Sequence, residues 1–340
     1  MPKNAQQSPP ISHRPAKGLK ATSISLVDRA KVLRFLNSAQ ERGTPCALVT
    51  VCAVEGSSMR NPGTIMGVAQ DGSFEGSLSG GCIENAVVAE ALEALKVGAT
   101  RVVRFGAGSP YLDIKLPCGG GLDLHFAPLA ESDFIARCLE SENARAPFAI
   151  AVGPDGVEHR PTWQPDAFDP VTGIGAFGQW PAPRVQIVGH GAGVEALSTL
   201  AHTMGCEVHA FTPDERIIAA LIGQGHAPTL LKRRTQTDLL QSDPWSAFVF
   251  LFHDHDWEIE LMERALGLPH FYLGAMGGRK AHAFRSEALL ARGVSQDKLN
   301  TIKAPIGVFH SSRDPQTLAL STLAQVIRAY QAADFEAAIA

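Results

Sequence analysis

Apolar positions in the first half of the chain switch period several times. From Leu26 to Leu36 they follow helical spacing, which predicts an amphipathic helix ending near Arg42-Gly43. Cys46 to Val54 is a short, apolar, β-branched run and predicts a buried strand. Thr64 to Ala69 and Ser73 to Leu78, joined by Gln70-Asp71-Gly72, predict a hairpin. A helix-periodic run follows from Ile83 to Leu92, then strands at Thr100 to Phe105 and Leu122 to Phe126. Phe134 to Glu142 predicts a helix, and Phe148 to Arg160, turning at Pro154-Asp155-Gly156, a second hairpin. Strands and helices without strict alternation indicate an α+β domain over residues 22–160.

From residue 184 the pattern becomes regular. Strands are expected at Arg184 to Val188, Glu207 to Phe211, Ala247 to Phe252 and His270 to Leu273. Helices are expected between and after them, at Val194 to Thr203, Glu215 to Gly223, Glu258 to Leu266 and Lys280 to Leu290. Such βα alternation predicts a Rossmann-like, doubly wound parallel sheet, an α/β architecture over residues 184–340. A long amphipathic helix from Asp314 to Ala332 closes the chain, with Asp314 or Ser312 as its N-cap. Between the two patterns, residues 161–183 hold prolines at 161, 165, 170, 181 and 183 and read as a linker. Residues 1–21 are rich in Pro, Lys, Ser and Gln, have no apolar segment of signal-peptide type, and read as a disordered leader.

Composition narrows the function classes. A chain of 340 residues, 45% of them hydrophobic, has material for two cores, in line with the two patterns. Its formal net charge is −4, and Lys232-Arg233-Arg234 is the longest basic block, so charge supports neither nucleic-acid nor membrane-surface binding. No apolar run approaches the roughly 20 residues of a membrane span. Cysteines at 46, 52, 82, 118, 138 and 206 are too scattered for a disulfide framework; reduced thiols and a cytoplasmic location are expected.

Two of those cysteines are framed by glycine, in Gly80-Gly81-Cys82-Ile83-Glu84 and in Cys118-Gly119-Gly120-Gly121. Cys82 also opens a helical run, where the helix dipole and unpaired amides favour a thiolate. Thiolates are nucleophiles and soft metal ligands, and bare glycine backbone lets an anionic group approach. The alternative is that each cysteine is a small buried residue beside a tight turn. Ser58 and Arg60, within Gly56 to Gly63, are suited to holding a phosphate or belong to a plain surface turn.

In the second half, Gly189-His190-Gly191-Ala192-Gly193 joins a strand to a helix, the phosphate-cradling arrangement of dinucleotide-binding units. Its third glycine comes one residue early, and Thr212 stands at the tip of the next strand where a ribose-binding acid is expected; Asp214 lies two residues on. His253 and His255 follow an apolar strand. As alternate residues pointing the same way they suit a metal or phosphate, and otherwise belong to a polar loop before a helix beginning near Trp257. Gly274 to Lys280 is a second basic, anion-friendly turn.

The order of these segments resembles the XdhC/CoxF family, the accessory factors of xanthine dehydrogenase and related molybdenum hydroxylases. The resemblance is carried by residues 56–63, 76–84 and 118–120, then 188–191, 253–255, 273–277 and 304–307. It implies a protein that binds the molybdenum cofactor, a pterin dithiolene carrying a phosphate. Such a protein helps the cofactor acquire its terminal sulfur and delivers it to an apo molybdenum hydroxylase, with a cysteine desulfurase as sulfur donor and a homodimer as the assembly. Cys82 and Cys118 then hold the metal at one pocket, with Gly80, Gly81, Gly119, Gly120, Ser58 and Arg60 beside them. Gly189, Gly191, Gly193, His253 and His255 would contribute from a second-domain edge facing the first domain across a cleft. Thr212, the early third glycine and His310-Ser311-Ser312-Arg313 depart from the family pattern and argue against NAD(P). Two other readings stay open: an NAD(P)-linked oxidoreductase using His253 or His255 as acid–base group, and a thiolate zinc- or copper-handling protein.

Overall fold

The computed structural model describes residues 29–56, 60–78, 83–109, 119–129, 133–253, 255–309 and 312–339. The first part comprises α1 (Arg29–Glu41), β1 (Cys46–Glu55), β2 (Ile65–Ala69), β3 (Phe74–Glu75), α2 (Glu84–Val97), β4 (Arg101–Gly106), β5 (Gly121–Leu129) and α3 (Phe134–Asn143). Its five strands form an antiparallel sheet in the order β3-β2-β1-β5-β4. Helices α1 and α3 cover one face through Val32, Leu33, Leu36, Ile135 and Cys138. The other face carries α2, whose Val87, Ala91 and Ala94 recur at helical spacing against Ala47, Val49 and Phe126. With both faces covered, β1 is buried at every position from Cys46 to Cys52. That is why its sequence is a continuous apolar run with no alternation.

A second sheet follows, formed by β6 (Phe148–Gly153), β7 (Gly156–Arg160), β8 (Ala167–Asp169) and β9 (Ile174–Gln179), ordered β7-β6-β9-β8. The stretch 161–183 is therefore not a bare linker: it contains β8 and β9, and β9 pairs antiparallel with β6. All five prolines fall outside the two strands, where a missing N–H breaks no ladder bond. They punctuate a hairpin, which from composition alone looks like a spacer.

The remaining elements are β10 (Arg184–Gly189), α4 (Ala192–Thr203), β11 (Glu207–Thr212), α5 (Glu215–Gly223), β12 (Thr229–Leu230), β13 (Ser246–Leu251), α6 (His255–Leu266), β14 (Tyr272–Ala275), α7 (Arg279–Ala291), α8 (Gln296–Thr301), α9 (Pro315–Ala332) and α10 (Glu336–Ile339). The five strands are parallel, in the order β12-β11-β10-β13-β14. Asp314 caps α9 as expected, its carboxylate accepting from Thr317 N at 2.8 Å. One core lies under α4 and α9 (Val185, Ile187, Leu197, Val326), the other under α6 and α7 (Phe248, Phe250, Leu261, Leu289). These are the two faces of a doubly wound sheet.

Gln186, in the central strand β10, is fully buried, and neither its amide oxygen nor its nitrogen has a hydrogen-bond partner. An unmet buried amide destabilises the fold, while an apolar side chain of the same length leaves nothing unsatisfied. Gln186→Met is expected to stabilise the protein by about 1–2 kcal/mol. The measurement is the urea midpoint at unchanged m-value; a fall in the midpoint would show that the amide is bonded in solution.

Contacts between the two halves lie at the N-terminal edge of the parallel sheet. Arg145, after α3, donates to Asp243 Oδ2 and Glu207 Oε2, both at 2.6 Å, and Arg184 donates to Glu207 Oε1 at 2.9 Å. Burial acts to raise the Glu207 carboxyl, but hydrogen bonds from His209 and Arg184 and the charge of Arg145 outweigh it and hold the group at about 2. Beside this network Trp163 stacks on Trp180 at 4.6 Å, and Trp180 meets Trp245 and Phe335. Tyr330, on α9, donates its hydroxyl proton to the Pro181 carbonyl.

Candidate functional site

Four of the six cysteines are eliminated as reactive groups. Cys46, Cys52, Cys138 and Cys206 are buried. Burial pushes the Cys46 thiol up to about 11 and the other three to about 12, so all four stay protonated at neutral pH. Cys82 and Cys118 lie outside the described residues, as do Gly80, Gly81 and Ser58. Their flanks are described, and the flanks converge.

β1 and β5 run side by side to their last register pair, Glu55 with Gly121. Just beyond it Gly56 abuts the segment that follows Cys118: a Cβ on Gly56 would sit 3.3 Å from the Gly120 Cα. Gly120 O also accepts from Ala107 N at 2.9 Å, so the turn after β4 joins the same sheet end, with Gly119 alongside. Further along the 56–63 loop, Arg60 Nε donates to Ser77 O at 2.8 Å. The Ser77 hydroxyl donates to Glu84 Oε1 at 2.8 Å, and Ile83 N donates to Glu84 Oε2 at 3.2 Å. Glu84 is buried in the first turn of α2, where a carboxylate complements the helix dipole. One loop thus touches Ser77, on the N-terminal side of Cys82, through Arg60 and the residues after Cys118 through Gly56, and Ser77 in turn reaches Glu84 on the other side of Cys82.

Arg104 was not singled out by the sequence reading. It donates to both oxygens of Asp123, at 3.2 and 3.0 Å, to Ala107 O at 2.7 Å, and to Glu55. It lies against Gly121, whose Cβ would be 2.7 Å from Nη2, so it is the charged wall of the second glycine turn. The signal was an arginine inside a short strand whose partners, Glu55 and Asp123, become neighbours only across the sheet.

In the parallel sheet the strand order reverses between β10 and β13, the switch point where doubly wound folds take ligands. Gly189 closes β10 so tightly on β13 that a Cβ would stand 2.6 Å from Leu251 O. Gly191 sits at φ +80° before α4, a conformation that favours glycine. Gly193 is already inside α4, and its Cβ position lies 3.6 Å from Leu318 and 3.7 Å from Leu251, ordinary packing distances. His190 and His253 face one another across the crevice, with ring centroids 5.7 Å apart.

β13 ends at Leu251 and α6 begins at His255, so His253 lies in the connection after the strand and His255 opens the helix. The side chain of His255 lies outside the described residues. Among the described residues the ion pairs of Arg145 with Glu207 and Asp243 join the two halves at the opposite edge of the sheet from His253. The chain enters β10 at its N-terminal end, and the strand length separates that edge from His253. At the tip of β11 the Thr212 hydroxyl accepts from Asp214 N at 3.1 Å, and the Asp214 carboxylate accepts from Arg216 N as the cap of α5. The nearest acid to the ribose position is thereby engaged in capping.

Residues 185–326 match the XdhC Rossmann domain, and residues 39–106 match the XdhC and CoxI family. The molybdenum cofactor insertion chaperone PaoD of Escherichia coli (strain K12) is 32% identical over 316 residues, covering 90% of this chain and 91% of that protein. The chain belongs to the XdhC and CoxI family. The architecture of this chain, an antiparallel part followed by a Rossmann-like parallel sheet, is the one expected from the sequence. A second E. coli protein, the uncharacterized YqeB, is 22% identical over 302 residues, 85% of this chain and 44% of that one. A crystal structure of a Bacillus halodurans protein described as a xanthine dehydrogenase shares the fold. It superposes with a TM-score of 0.72 at 19% identity, over 89% of this chain and 96% of that one. Among the described residues no helix is long and apolar enough to cross a membrane.

Proposed function

We infer that this XdhC-family chain binds the molybdenum cofactor as cargo, assists its maturation and delivers it to an apo molybdenum hydroxylase. The observation that carries the site assignment is the double contact of the 56–63 loop, with Gly120 on one side and with Ser77 on the other. That loop ties the flanks of Cys82 and Cys118 to one end of the first sheet, and the other four thiols are buried and protonated. In this reading Cys82 and Cys118 are the metal ligands. Gly80, Gly81, Gly119 and Gly120 offer bare backbone to the anionic cargo, and Ser58 and Arg60 meet its phosphate. The similarity to PaoD, a molybdenum cofactor insertion chaperone, supports the same cargo. Transfer of terminal sulfur from a cysteine desulfurase, and a homodimeric assembly, complete the proposal.

Cys82→Ala and Cys118→Ala separate this reading from a structural role. Each is expected to lower the molybdenum and pterin that co-purify with the protein, while the thermal unfolding midpoint stays at the wild-type value. Core cysteines would behave oppositely, with the void left by alanine costing about 1 kcal/mol and cofactor content unchanged. Metal analysis and pterin fluorescence beside a melting curve decide between them. Zinc or copper without pterin would replace the cargo with a thiolate metal site.

A further inference from the structure

Three strands meet where Gly121 opens β5. Gly121 pairs with Glu55, the last residue of β1, on one side and with Gly106, the last residue of β4, on the other. Asp123 lies two residues on, so it shares a sheet face with position 121, and its register partner is Arg104. The Arg104 guanidinium takes the space that a side chain at 121 would fill. A Cβ on Gly121 would stand 2.7 Å from Nη2 and 3.0 Å from Ala107 O. One on Gly108, where φ is +75°, would stand 3.1 Å from Nε. Gly119 differs: its φ is +70°, and no described atom lies within 4 Å of its Cβ position. The second glycine frame is therefore divided. Gly121 makes room for an arginine, and Gly119 leaves open space at the turn.

All three guanidinium nitrogens are committed to protein acceptors. Nε donates to Ala107 O at 2.7 Å, Nη1 to the two Asp123 oxygens at 3.2 and 3.0 Å, and Nη2 to Glu55. These acceptors belong to the turn after β4, to β5 and to the end of β1, so one planar group spans three segments. Ala107, held through its carbonyl, donates its own N–H to Gly120 O at 2.9 Å, and Gly120 is the residue that Gly56 abuts. A guanidinium fork reaches several acceptors in fixed directions, whereas a lysine ammonium is one point on a flexible stem.

We propose that Arg104 is a positioning residue for the cargo: through Ala107, Asp123 and Glu55 it fixes the Gly119–Gly121 turn in the arrangement that receives the cofactor. The proposal rests on the reading of Cys118 and its glycine frame as part of the cargo site. Arg104 acts through that turn and makes no contact with the cargo itself.

Hydrogen exchange of the full-length protein, read beside its molybdenum and pterin content, tests the assignment. In both Arg104→Ala and Arg104→Lys the segment 105–109, which holds the Ala107 amide, is expected to exchange about tenfold faster, because charge-assisted bonds no longer close the turn. Exchange in α1 and in the parallel sheet should stay at the wild-type rate, which a general loss of stability would not allow. Molybdenum and pterin should fall in both variants as they do in Cys118→Ala. Unchanged exchange at 105–109 in Arg104→Ala would overturn the proposal. So would wild-type behaviour of Arg104→Lys, since charge alone would then suffice, and so would full cofactor content with the turn released. Failure of the cofactor reading shows separately, as Cys118→Ala that keeps its cofactor or wild-type protein that carries none. Either result removes the cargo from the proposal, while the exchange rates still decide whether Arg104 holds the turn.

Discussion

Glu258→Ala is expected to destabilise the protein by about 3–5 kcal/mol, more than any exposed ion-pair change. Glu258 and Arg285 form an ion pair whose side chains are both 0% exposed, joined through Nη2 at 2.9 and 3.1 Å. Removing the carboxylate strands a guanidinium between α6 and α7 with no water to solvate it. Coulomb attraction in such a site is strong, but so is the desolvation of each ion; the pair's net contribution is therefore small while the cost of breaking it is large. A double variant exposes that asymmetry. Glu258→Met/Arg285→Met should recover most of the loss, because two apolar side chains leave no buried charge. Urea unfolding of the two variants beside the wild type is the measurement. A loss below about 1 kcal/mol in the single variant, typical of solvated pairs, would mean that water reaches the guanidinium.

Trp180→Ala is expected to cost about 3–5 kcal/mol as a large-to-small change in a packed cluster. It should also split the unfolding transition in two. Trp180 is the central ring of the interface, stacked on Trp163 from the connection between β7 and β8 and touching Trp245 before β13 and Phe335 beyond α9. Each half has its own apolar core, so their cooperativity depends on this cluster and the Arg145 network. With the ring removed, near-UV circular dichroism and calorimetry should report two melting steps, against one expected for the wild type. A single cooperative transition at nearly unchanged midpoint would assign the coupling to Arg145, Arg184, Glu207 and Asp243 alone.

Much of the fold was legible because local pattern and tertiary environment agree. The continuous apolar run at Cys46 to Cys52 reflects a strand covered on both faces, and Val87, Ala91 and Ala94 show the stripe by which α2 packs. The alternation beyond Arg184 reflects the repetition of one right-handed βα unit. Where the reading erred, local signals were ambiguous. The prolines around β8 and β9 mark strand ends as readily as a spacer.

By itself the sequence determined the fold class, the order of the elements, the family, and which two cysteines stand in glycine frames, because these follow from periodicity and from residue types close together in the chain. Tertiary structure alone decided which distant segments share a site. It put Gly56 against Gly120, linked Arg60 to the segment beside Cys82, buried the other four thiols, faced His190 with His253 and set the Arg104 guanidinium against Gly121. It also joined the two halves at the sheet edge away from His253. Those outcomes depend on strand register and on which faces pack, and both are settled by burial summed over the whole chain, which no local run of residues encodes.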